Sequence, residues 1–398
     1  MHYKLSKYQN YKPSGLDWLG DVPMEWEVKR LKDALSIKNG SDYKEIEAES
    51  GIPVIGSGGQ FRFASKYIYD GESILFGRKG TIDKPLYFVG KFWTVDTMFY
   101  SVLTKKAFGK FMYYFALRIP FQGYSTQTAL PSMTQNVLER IFLGFPSKPT
   151  QITIANYLDQ QTAKIDKEID LLSQKAEKYK QLKQTLISET VTKGLDKTAK
   201  LKSSGVDWIG DIPERWEVKR VKEIFDITRG RVIPQEDLLD DGFPVYSSQT
   251  ENDGCMGYIR TYDFNADLLT WTTDGANAGT VFLRAGKFNC TNICGILLPK
   301  NKNSVFLKYL VHSVQVGAKH NKRIDTNGAK IMSNEMALIK ITIPPKNEQI
   351  QIANYLDVQT EKIDQIIVTI NQKIDKLKEY RKVLINDVVV GKVRVEIL

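Results

Sequence analysis

The feature that most constrains the fold of this chain is a segment that occurs twice. SGLDWLGDVPMEWEVKRLKD spans residues 14–33 and SGVDWIGDIPERWEVKRVKE spans residues 204–223, with thirteen of the twenty positions identical. A second pair, QITIANYLDQQTAKID at 151–166 and QIQIANYLDVQTEKID at 349–364, repeats with an offset of 198 residues. A long internal period indicates a duplicated structural unit. The chain therefore has to contain the same frame twice.

Each copy has the same predicted anatomy. The repeated segment is followed by short β-branched and aromatic runs broken by glycine, such as ESILFGRKG in the first copy and DLLTWTTDG in the second. Such runs indicate strands and exposed turns, and short helical patterns lie between them, so each globule is predicted to be mixed α/β (α+β). A helical pattern ends each copy. The predicted regions are a globule at 1–150, a helix region at 151–200, a globule at 201–348 and a helix region at 349–398.

The helix regions carry a heptad seam. Apolar residues alternate in steps of four and three, with charged residues on the other faces. The seam residues are Ile165, Ile169, Leu172, Ala176, Tyr179 and Leu186 in the first copy, and Ile363, Ile367, Ile370, Ile374, Leu377 and Leu384 in the second. Two seams in matching register predict an antiparallel coiled coil with pseudo-twofold symmetry. The alternative is that each helix packs only on its own globule.

The limits of the long helices are predicted from their capping residues. Prolines close each globule, so Thr150 and Asn347 are the predicted N-caps, and Gly194 and Gly391 mark the C-terminal ends. The seam stretches from Ile165 to Gly194 and from Ile363 to Gly391 predict helices of about 30 residues, which rise about 45 Å.

Each seam is interrupted once by a charged residue. The interruptions are Lys183 in the first copy and Arg381 in the second. Because a heptad seam needs apolar side chains, we expect the neighbouring Leu182 and Tyr380 to fill these positions.

The repeated segment contributes two tryptophans to each copy. Trp18 and Trp26 have Trp208 and Trp216 as counterparts. Large aromatic rings at repeated positions are most simply buried in a small core beside the helix or against a partner. Stacking of these rings on nucleic-acid bases is the alternative.

The charge of the chain and the divergence of its globules indicate the type of partner. The net charge is +10, which favours nucleic acid or an anionic membrane, although basic residues can also serve solubility alone. The loops of the two globules differ, as FGRKGTIDK and WTTDGANAG illustrate. Two unlike globules on like frames suit an asymmetric, two-part target, and duplex DNA is such a target.

Candidate DNA contacts are basic and polar side chains of the globules, some of them on glycine-flanked turns, which can bind phosphates or base edges. In the first globule they are Arg62, Lys66, Arg78, Lys79, Tyr124 and Gln127, with Ser125 and Thr126 as polar neighbours. In the second they are Arg229, Arg231, Gln249, Asn277, Lys319, Lys322 and Arg323, with Ser247, Ser248 and Thr273. We expect most of this set to share one concave basic face.

The repeated segments resemble a known family. The phrase W-[IL]-G-D-[IV]-P-x-x-W, the helix start IANYLD-x-QT-x-KID and their duplication in one chain are similar to the specificity subunit of type I restriction–modification systems. The resemblance covers essentially the whole chain. It implies two target recognition domains, at 1–150 and 201–348, which read two half-sites separated by unread base pairs. It also implies partners: double-stranded DNA, two methyltransferase subunits and the restriction subunits of the full complex.

The sequence contains no catalytic or cofactor motif. The only paired prolines, in IPPK, lack the preceding Asn or Asp of an adenine methyltransferase motif, and no G-x-x-x-x-G-K-[ST] phosphate loop is present. We therefore expect no active site in this subunit and no cofactor.

The cysteines favour burial over metal binding. Cys290 and Cys294 have three residues between them but no second ligand pair, so we expect two thiols on one face of a buried strand and not a zinc site. No apolar run approaches the roughly 20 residues that span a bilayer, so the expected location is cytoplasmic.

Three other functions stay open on the sequence. A free-standing duplex-DNA-binding regulator shares the basic charge and the duplicated globules. A coiled-coil scaffold with no DNA role is disfavoured by two diverged, strand-rich globules. An intrinsic methyltransferase would bind its cofactor without partners.

Overall fold

The chain folds into two compact units. The computed structural model describes residues 3–126, 131–301, 303–325 and 328–398. Unit 1 comprises Met1–Ser173 with Asn371–Leu398, and unit 2 comprises Gln174–Ile370. The C-terminal segment therefore belongs to the same unit as the N-terminal half.

The secondary structure is mixed, as predicted. The strands of the first half are β1 (Tyr3–Ser6), β2 (Tyr11–Pro13), β3 (Asp21–Pro23), β4 (Glu27–Arg30), β5 (Leu35–Asn39), β6 (Glu47–Ala48), β7 (Ile52–Gly56), β8 (Gly59–Ala64), β9 (Tyr69–Gly77), β10 (Leu86–Thr94), β11 (Met98–Leu103) and β12 (Phe142–Phe145). Its helices are α1 (Leu31–Ala34), α2 (Gly109–Ala116), α3 (Gln135–Glu139) and α4 (Lys148–Lys193).

The second half has a similar order of elements, with the additional strand pair β24 and β25 before its third helix. Its strands are β13 (Leu201–Ser203), β14 (Asp211–Pro213), β15 (Glu217–Arg220), β16 (Phe225–Arg229), β17 (Phe243–Tyr246), β18 (Cys255–Ile259), β19 (Phe264–Asn265), β20 (Leu268–Thr272), β21 (Val281–Arg284), β22 (Lys287–Cys290), β23 (Cys294–Pro299), β24 (Arg323–Asp325), β25 (Gly328–Lys330), β26 (Lys340–Ile343) and β27 (Arg394–Ile397). Its helices are α5 (Val221–Ile224), α6 (Leu307–Asn321), α7 (Ser333–Leu338) and α8 (Lys346–Val389).

Unit 1 is built on a seven-stranded sheet in the order β5-β11-β9-β10-β7-β8-β6. The strands are antiparallel except for β7 and β10, which run parallel with Val54 opposite Trp93. Helix α2 packs on this sheet and buries Phe111 and Phe115 in the core of the unit. Strand β27 joins unit 1 by pairing with β1.

Unit 2 uses the same strand pairing in two four-stranded sheets. Their orders are β16-β23-β20-β21 and β18-β17-β22-β19, and β17 pairs in parallel with β22 as β7 pairs with β10 in unit 1. Helix α6 packs on β21 and β26 and buries Tyr309 and Leu310. The predicted mixed α/β fold with a duplicated frame is confirmed.

The long helices α4 and α8 are longer than the predicted seam stretches. They contain 46 and 44 residues, which correspond to about 65–70 Å at 1.5 Å per residue. The predicted N-caps Thr150 and Asn347 are wrong, because the helices begin at Lys148 and Lys346. Pro149 lies in the first turn of α4, where the missing N–H would have had no helical partner.

The long helices pack against each other, and the predicted antiparallel pairing is confirmed. In unit 1, Asp166 of α4 pairs with Arg381 of α8 at 2.9 Å, and Glu168 pairs with Lys373 at 2.7 Å. Residue numbers rise along α4 as they fall along α8, so the helices run in opposite directions. All seam residues of both helices are buried or half-buried. Neither these nor any other described helix is apolar enough to cross a bilayer.

Each long helix also packs on the globules. Ile154 and Leu158, near the start of α4, lie in the core of unit 1, and Val191, near its end, lies in the core of unit 2. Val388 and Val389, at the end of α8, lie in the core of unit 1. The core of unit 1 therefore includes residues from both ends of the sequence.

The repeated tryptophans explain why the opening segment is duplicated. Trp26 and Trp216 are almost completely buried, as predicted, and Trp18 and Trp208 are half-buried. A Cβ on Gly391, just after α8, would lie 3.2 Å from the Trp26 ring, and one on Gly194, just after α4, would lie 3.0 Å from the Trp216 ring. The repeated segment thus packs against the end of a long helix in each unit.

Candidate nucleic-acid interface

In unit 1 the ends of two strands are held together by backbone hydrogen bonds. After β5, Gly40 donates its N–H to the Met98 carbonyl at 2.9 Å and Ser41 donates to the Thr94 carbonyl at 2.9 Å. A Cβ on Gly40 would lie 2.0 Å from the Val95 carbonyl oxygen, so only glycine permits this close approach. These bonds fix the backbone on both sides of position 40.

The end of β9 is fixed in the same region. Arg78 donates its N–H to the Thr97 carbonyl at 2.8 Å, and its own carbonyl accepts from Met133 at 2.9 Å. The backbones of Lys79 and Ser132 pair in an isolated antiparallel β-bridge. We call residues 39–41, 78–80 and 131–133 the unit 1 rim.

Unit 2 repeats the first of these arrangements. Gly230 donates to the Cys294 carbonyl at 3.2 Å, and Arg231 donates to the Cys290 carbonyl at 3.1 Å. A Cβ on Gly230 would again lie 2.0 Å from a carbonyl oxygen, that of Cys290. Residues 229–231 therefore occupy the place of residues 39–41.

The second arrangement is repeated as well. Thr273 donates its N–H to the Ile293 carbonyl at 3.2 Å, and its carbonyl accepts from the Ile331 N–H at 2.8 Å. The backbones of Asp274 and Lys330 pair in an isolated antiparallel β-bridge. We call residues 229–231, 273–275 and 329–331 the unit 2 rim. The two rims share one backbone frame and carry different side chains.

The predicted contact residues of unit 1 divide between the rim and other elements. Arg78 and Lys79 lie on the rim, and Arg78 donates from Nη1 to the Asp96 carbonyl at 3.3 Å. The segment of Tyr124 approaches the rim through a hydrogen bond from Thr126 N–H to the Ser132 carbonyl. Gln127 lies outside the described residues.

Arg62 and Lys66 lie on or after β8 and not on the rim segments. Arg62 pairs with Glu47 at 3.1 Å, and Lys66 is exposed. The GSGG turn at 56–59 lines a cleft of about 360 Å³ together with Val95 and Thr97. Because the Thr97 carbonyl accepts the Arg78 N–H, this turn lies next to the unit 1 rim.

In unit 2, Arg229 and Arg231 lie on the rim, and Asn277 and Arg323 lie in the loops and strand beside it. Arg231 forms an ion pair with Asp263 at 3.0 Å, which partly neutralises the positive charge of Arg231. Asn277 donates to Thr250 Oγ1 at 3.1 Å. Arg323 lies on β24 opposite Lys330 and pairs with Glu335 at 3.5 Å.

The remaining candidates of unit 2 contact other elements. Lys319 donates to Gln184 on α4, which directs this side chain toward the long helix. Lys322 is exposed at the end of α6. Gln249 donates to the carbonyl of Cys255, the first residue of β18.

Sequence reasoning missed the rim residue Asn39 and the residues that contact Asn39 and Arg229. Asn39 is the exposed last residue of β5, and its amide donates to the Gln135 side chain. Ser333 accepts a hydrogen bond from Arg229 in the same manner. Alignment of SIKNG with DITRG, 190 residues later, pairs Asn39 with the candidate Arg229. This alignment was the signal that could have identified Asn39.

Arg284 was also missed because it is buried. Its guanidinium lies 3.6 Å from the centre of the Tyr246 ring and pairs with Asp253 at 2.6 Å. Asn252 and Asp253 have positive φ angles of 48° and 55°, so this ion pair supports a strained turn. Burial raises the pKa of Tyr246, and the nearby Arg284 acts in the opposite direction.

The cysteines do not form a metal site in the described part of the chain. Cys290 and Cys294 are both buried, as expected, but they lie on successive strands β22 and β23 and not on one strand. No group of three or more His, Cys, Asp or Glu side chains among the described residues could hold a metal ion.

A family model described as the type I restriction modification DNA specificity domain matches the chain twice, over residues 23–177 and 213–376. The chain belongs to this family. The resemblance inferred from the repeated segments is confirmed, and membership assigns the chain a role in DNA sequence specificity.

Relatives and solved structures agree with this membership. The chain is 30% identical over 275 residues to the putative type I specificity subunit S.MpnORF365P of Mycoplasma pneumoniae, covering 67% of this chain and 94% of the relative. It is 39% identical over 145 residues to the type I restriction enzyme MpnII specificity subunit of the same organism, covering 35% and 43%.

The fold is similar to that of a chain in a structure addressing complex assembly and conformational transition of the type I R-M system. The TM-score is 0.72 at 14% identity, covering 93% of this chain and 99% of that chain. The HsdS subunit of Thermoanaerobacter tengcongensis gives a TM-score of 0.53 at 14% identity, covering 93% and 98%.

Proposed function

We propose that the chain is the non-catalytic DNA-recognition subunit of a type I restriction–modification complex and reads a bipartite, asymmetric site. In this proposal the globules at 1–150 and 201–348 are target recognition domains, and the helix regions at 151–200 and 349–398 are spacers. The adenine methyltransferase and ATP-dependent endonuclease activities belong to the partner subunits of the complex, which acts on DNA in the cytoplasm.

The observation that carries this proposal is the pair of rims. Both rims use the same backbone bonds and the same close glycine approach, at Gly40 and Gly230. Their side chains differ in charge and in hydrogen-bonding groups: Arg78 corresponds to Thr273, and Lys79 corresponds to Asp274. Base edges are distinguished by the donors and acceptors that meet them. Two like frames with unlike side chains therefore suit the reading of two different half-sites.

The charge of the protein supports a DNA partner. The net charge of +10 favours binding to phosphates, which positions a protein on DNA without specifying the sequence. The candidates Arg62, Lys66, Lys319 and Lys322, which lie on other elements than the rims, suit this sequence-independent role.

The long helices support recruitment of protein partners. Large apolar side chains remain exposed on the outer faces of both helices, and such residues mark protein interaction sites when they cluster. They include Leu171 and Leu182 on α4, and Val358, Ile366, Val368, Tyr380 and Val383 on α8. We assign these faces to two methyltransferase subunits, with restriction subunits joining in the full complex.

Methylation mapping tests the proposal. In cells that carry this chain and its methyltransferase, we expect methylated adenines within a two-part motif that has an unread gap. A continuous motif would contradict the reading by two separate globules. A gel-shift with and without the methyltransferase separates a recognition subunit, which needs its partner, from a free-standing DNA-binding regulator, which binds tightly alone.

A further inference from the structure

Asn39 and Arg229 occupy the same place in the two rims. Each is the last residue of its strand, β5 or β16, and each precedes a glycine on which a Cβ would lie 2.0 Å from a carbonyl oxygen. The backbone bonds on the next two residues are repeated in both units. Both side chains are exposed.

The side chain of Asn39 is held from one side. Nδ2 donates to Gln135 Oε1 at 3.3 Å. Gln135 is itself fixed, because its Nε2 donates to the Ile37 carbonyl at 3.1 Å and to Glu139 Oε1 at 2.9 Å. The bond to Gln135 uses one hydrogen of Nδ2 and leaves Oδ1 and the second hydrogen for another partner.

Arg229 is held from the equivalent helix. Its Nε donates to Ser333 Oγ at 3.1 Å, and its Nη2 lies 3.5 Å from Met332 Sδ. Helix α7, which begins at Ser333, corresponds to α3, which begins at Gln135. These contacts leave Nη1 and the second hydrogen of Nη2 available to a ligand. Together these groups form the outer edge of the guanidinium.

Resting on the proposed function, we propose that Asn39 and Arg229 are the equivalent base-reading positions of the two globules, Asn39 for adenine and Arg229 for guanine. An amide with a free N–H and a free oxygen matches the N7 and N6 groups of adenine, and two parallel N–H groups of arginine match N7 and O6 of guanine. A side chain that is already held loses less conformational entropy on binding.

A purely structural role is the competing explanation. In that case the contacts with Gln135 and Ser333 would only fasten α3 and α7 to the sheets. Loss of such a contact would lower the amount of folded complex without changing which bases are methylated. The identity of the methylated motif therefore distinguishes the two roles.

The experiment maps methylation directed by full-length variants expressed with the methyltransferase. Asn39→Ala is expected to make one adenine position of one half-site degenerate, with discrimination falling roughly tenfold or more. Arg229→Ala is expected to do the same at a guanine of the other half-site. Arg229→Lys keeps the charge but loses the bidentate fork, so methylation continues with relaxed specificity at that guanine.

Matched controls are Lys38→Ala and Thr228→Ala, which alter the preceding exposed residue on the opposite face of each strand. Both controls should leave the motif unchanged. If Asn39→Ala does not yield an assembled complex, the nearly isosteric Asn39→Asp, which has no donor, provides the same comparison.

An unchanged motif from assembled Asn39 and Arg229 variants would overturn the inference while leaving the proposed function intact. Degeneracy of both variants in the same half-site would overturn it too. Failure of the wild-type chain to direct a two-part motif would instead refute the proposed function.

Discussion

Lys183 of α4 and Asp364 of α8 form an ion pair of 2.6 Å at the seam of the long helices in unit 2. The equivalent residues 198 positions away, Arg381 and Asp166, form the ion pair of 2.9 Å in unit 1 with the two helices exchanged. Each interruption of the apolar seam is therefore occupied by a charged residue whose stem covers the seam and whose charged end reaches a carboxylate.

These ion pairs correct the expectation that neighbouring apolar residues fill the interruptions. Leu182 and Tyr380 are 51% and 54% exposed, so neither enters the seam. Because Lys183 and Arg381 keep the seam positions, the heptad spacing continues without a break through both helices.

Reversal of the charge on Lys183 tests this pair. We expect Lys183→Glu to lower the free energy of unfolding by about 1 kcal/mol, since the pair is partly exposed and repulsion replaces attraction. Combination with Asp364→Lys should restore most of the loss, and the effect should shrink at high salt. Chemical denaturation measures the change. Lys180→Glu, in the exposed pair with Glu177 on the same helix, is the control and should have a smaller effect.

Charged residues in the seam should separate the helices. Ile370 is 7% exposed and Ile367 is half-buried, so Ile367→Asp with Ile370→Asp places two carboxylates in an apolar contact. We expect a loss of about 3 kcal/mol or more and failure to assemble with partner subunits. Gln372→Asp alters an exposed residue of the same helix that lies outside the seam, and it should be tolerated. Recovery of an intact complex from the double variant would contradict the seam.

The end of α8 should tolerate only glycine at position 391. Gly391 has φ of 80°, and a Cβ there would lie 2.4 Å from Pro23 Cδ. Gly20 has φ of 65° with open space around it, so Gly20→Ala measures the conformational strain alone, about 1–2 kcal/mol. We expect Gly391→Ala to destabilise unit 1 by more than Gly20→Ala, as measured by thermal unfolding. Equal effects would show that the contact with Pro23 is unimportant.

Arg78 and Arg323 should contribute to DNA binding through their positions on and beside the rims. Alanine at either residue is expected to weaken binding of the assembled complex by about 1–3 kcal/mol if the contact is to a base, with relaxed specificity. A fluorescence titration at several salt concentrations measures both affinity and salt slope. Lys178→Ala removes one exposed positive charge from α4 and serves as the control. Unchanged affinity, specificity and salt slope in both arginine variants would reject these contacts.

Exchange of one globule tests the modular reading. Replacement of residues 34–148 with the corresponding segment of another family member should change one half-site and preserve the other. The exchanged segment stops at the first residue of α4, so the long helices keep their own seam residues. Methylation mapping gives the result, and an unaltered motif would count against separate reading by the two globules.

The elements predicted best are those with a strong local pattern. The strands of the globules, the seam and the burial of Trp26 and Trp216 follow from alternation, heptad spacing and residue size, which act on neighbouring residues. The helix starts were predicted less well, because proline disrupts a helix interior and yet is accommodated in the first helical turn.

The candidate site was predicted only in part. Arg78 and Arg229 stand out in the sequence because they are basic residues that flank glycines, whereas Asn39 flanks Gly40 but carries no charge. The bond from Asn39 to Gln135 joins residues that are 96 positions apart. No local pattern encodes such a contact, since it depends on the register of β5 and on where α3 begins.

The amino-acid sequence alone determined that this protein is a duplicated frame with a heptad seam in each copy, because repetition and periodicity are properties of the chain itself. Only the tertiary structure decided that Trp26 meets Gly391 at the far end of the sequence, and that Asn39 and Arg229 share one position. Those relationships arise when distant segments bury their apolar surfaces together, and the geometry of that burial selects the partners.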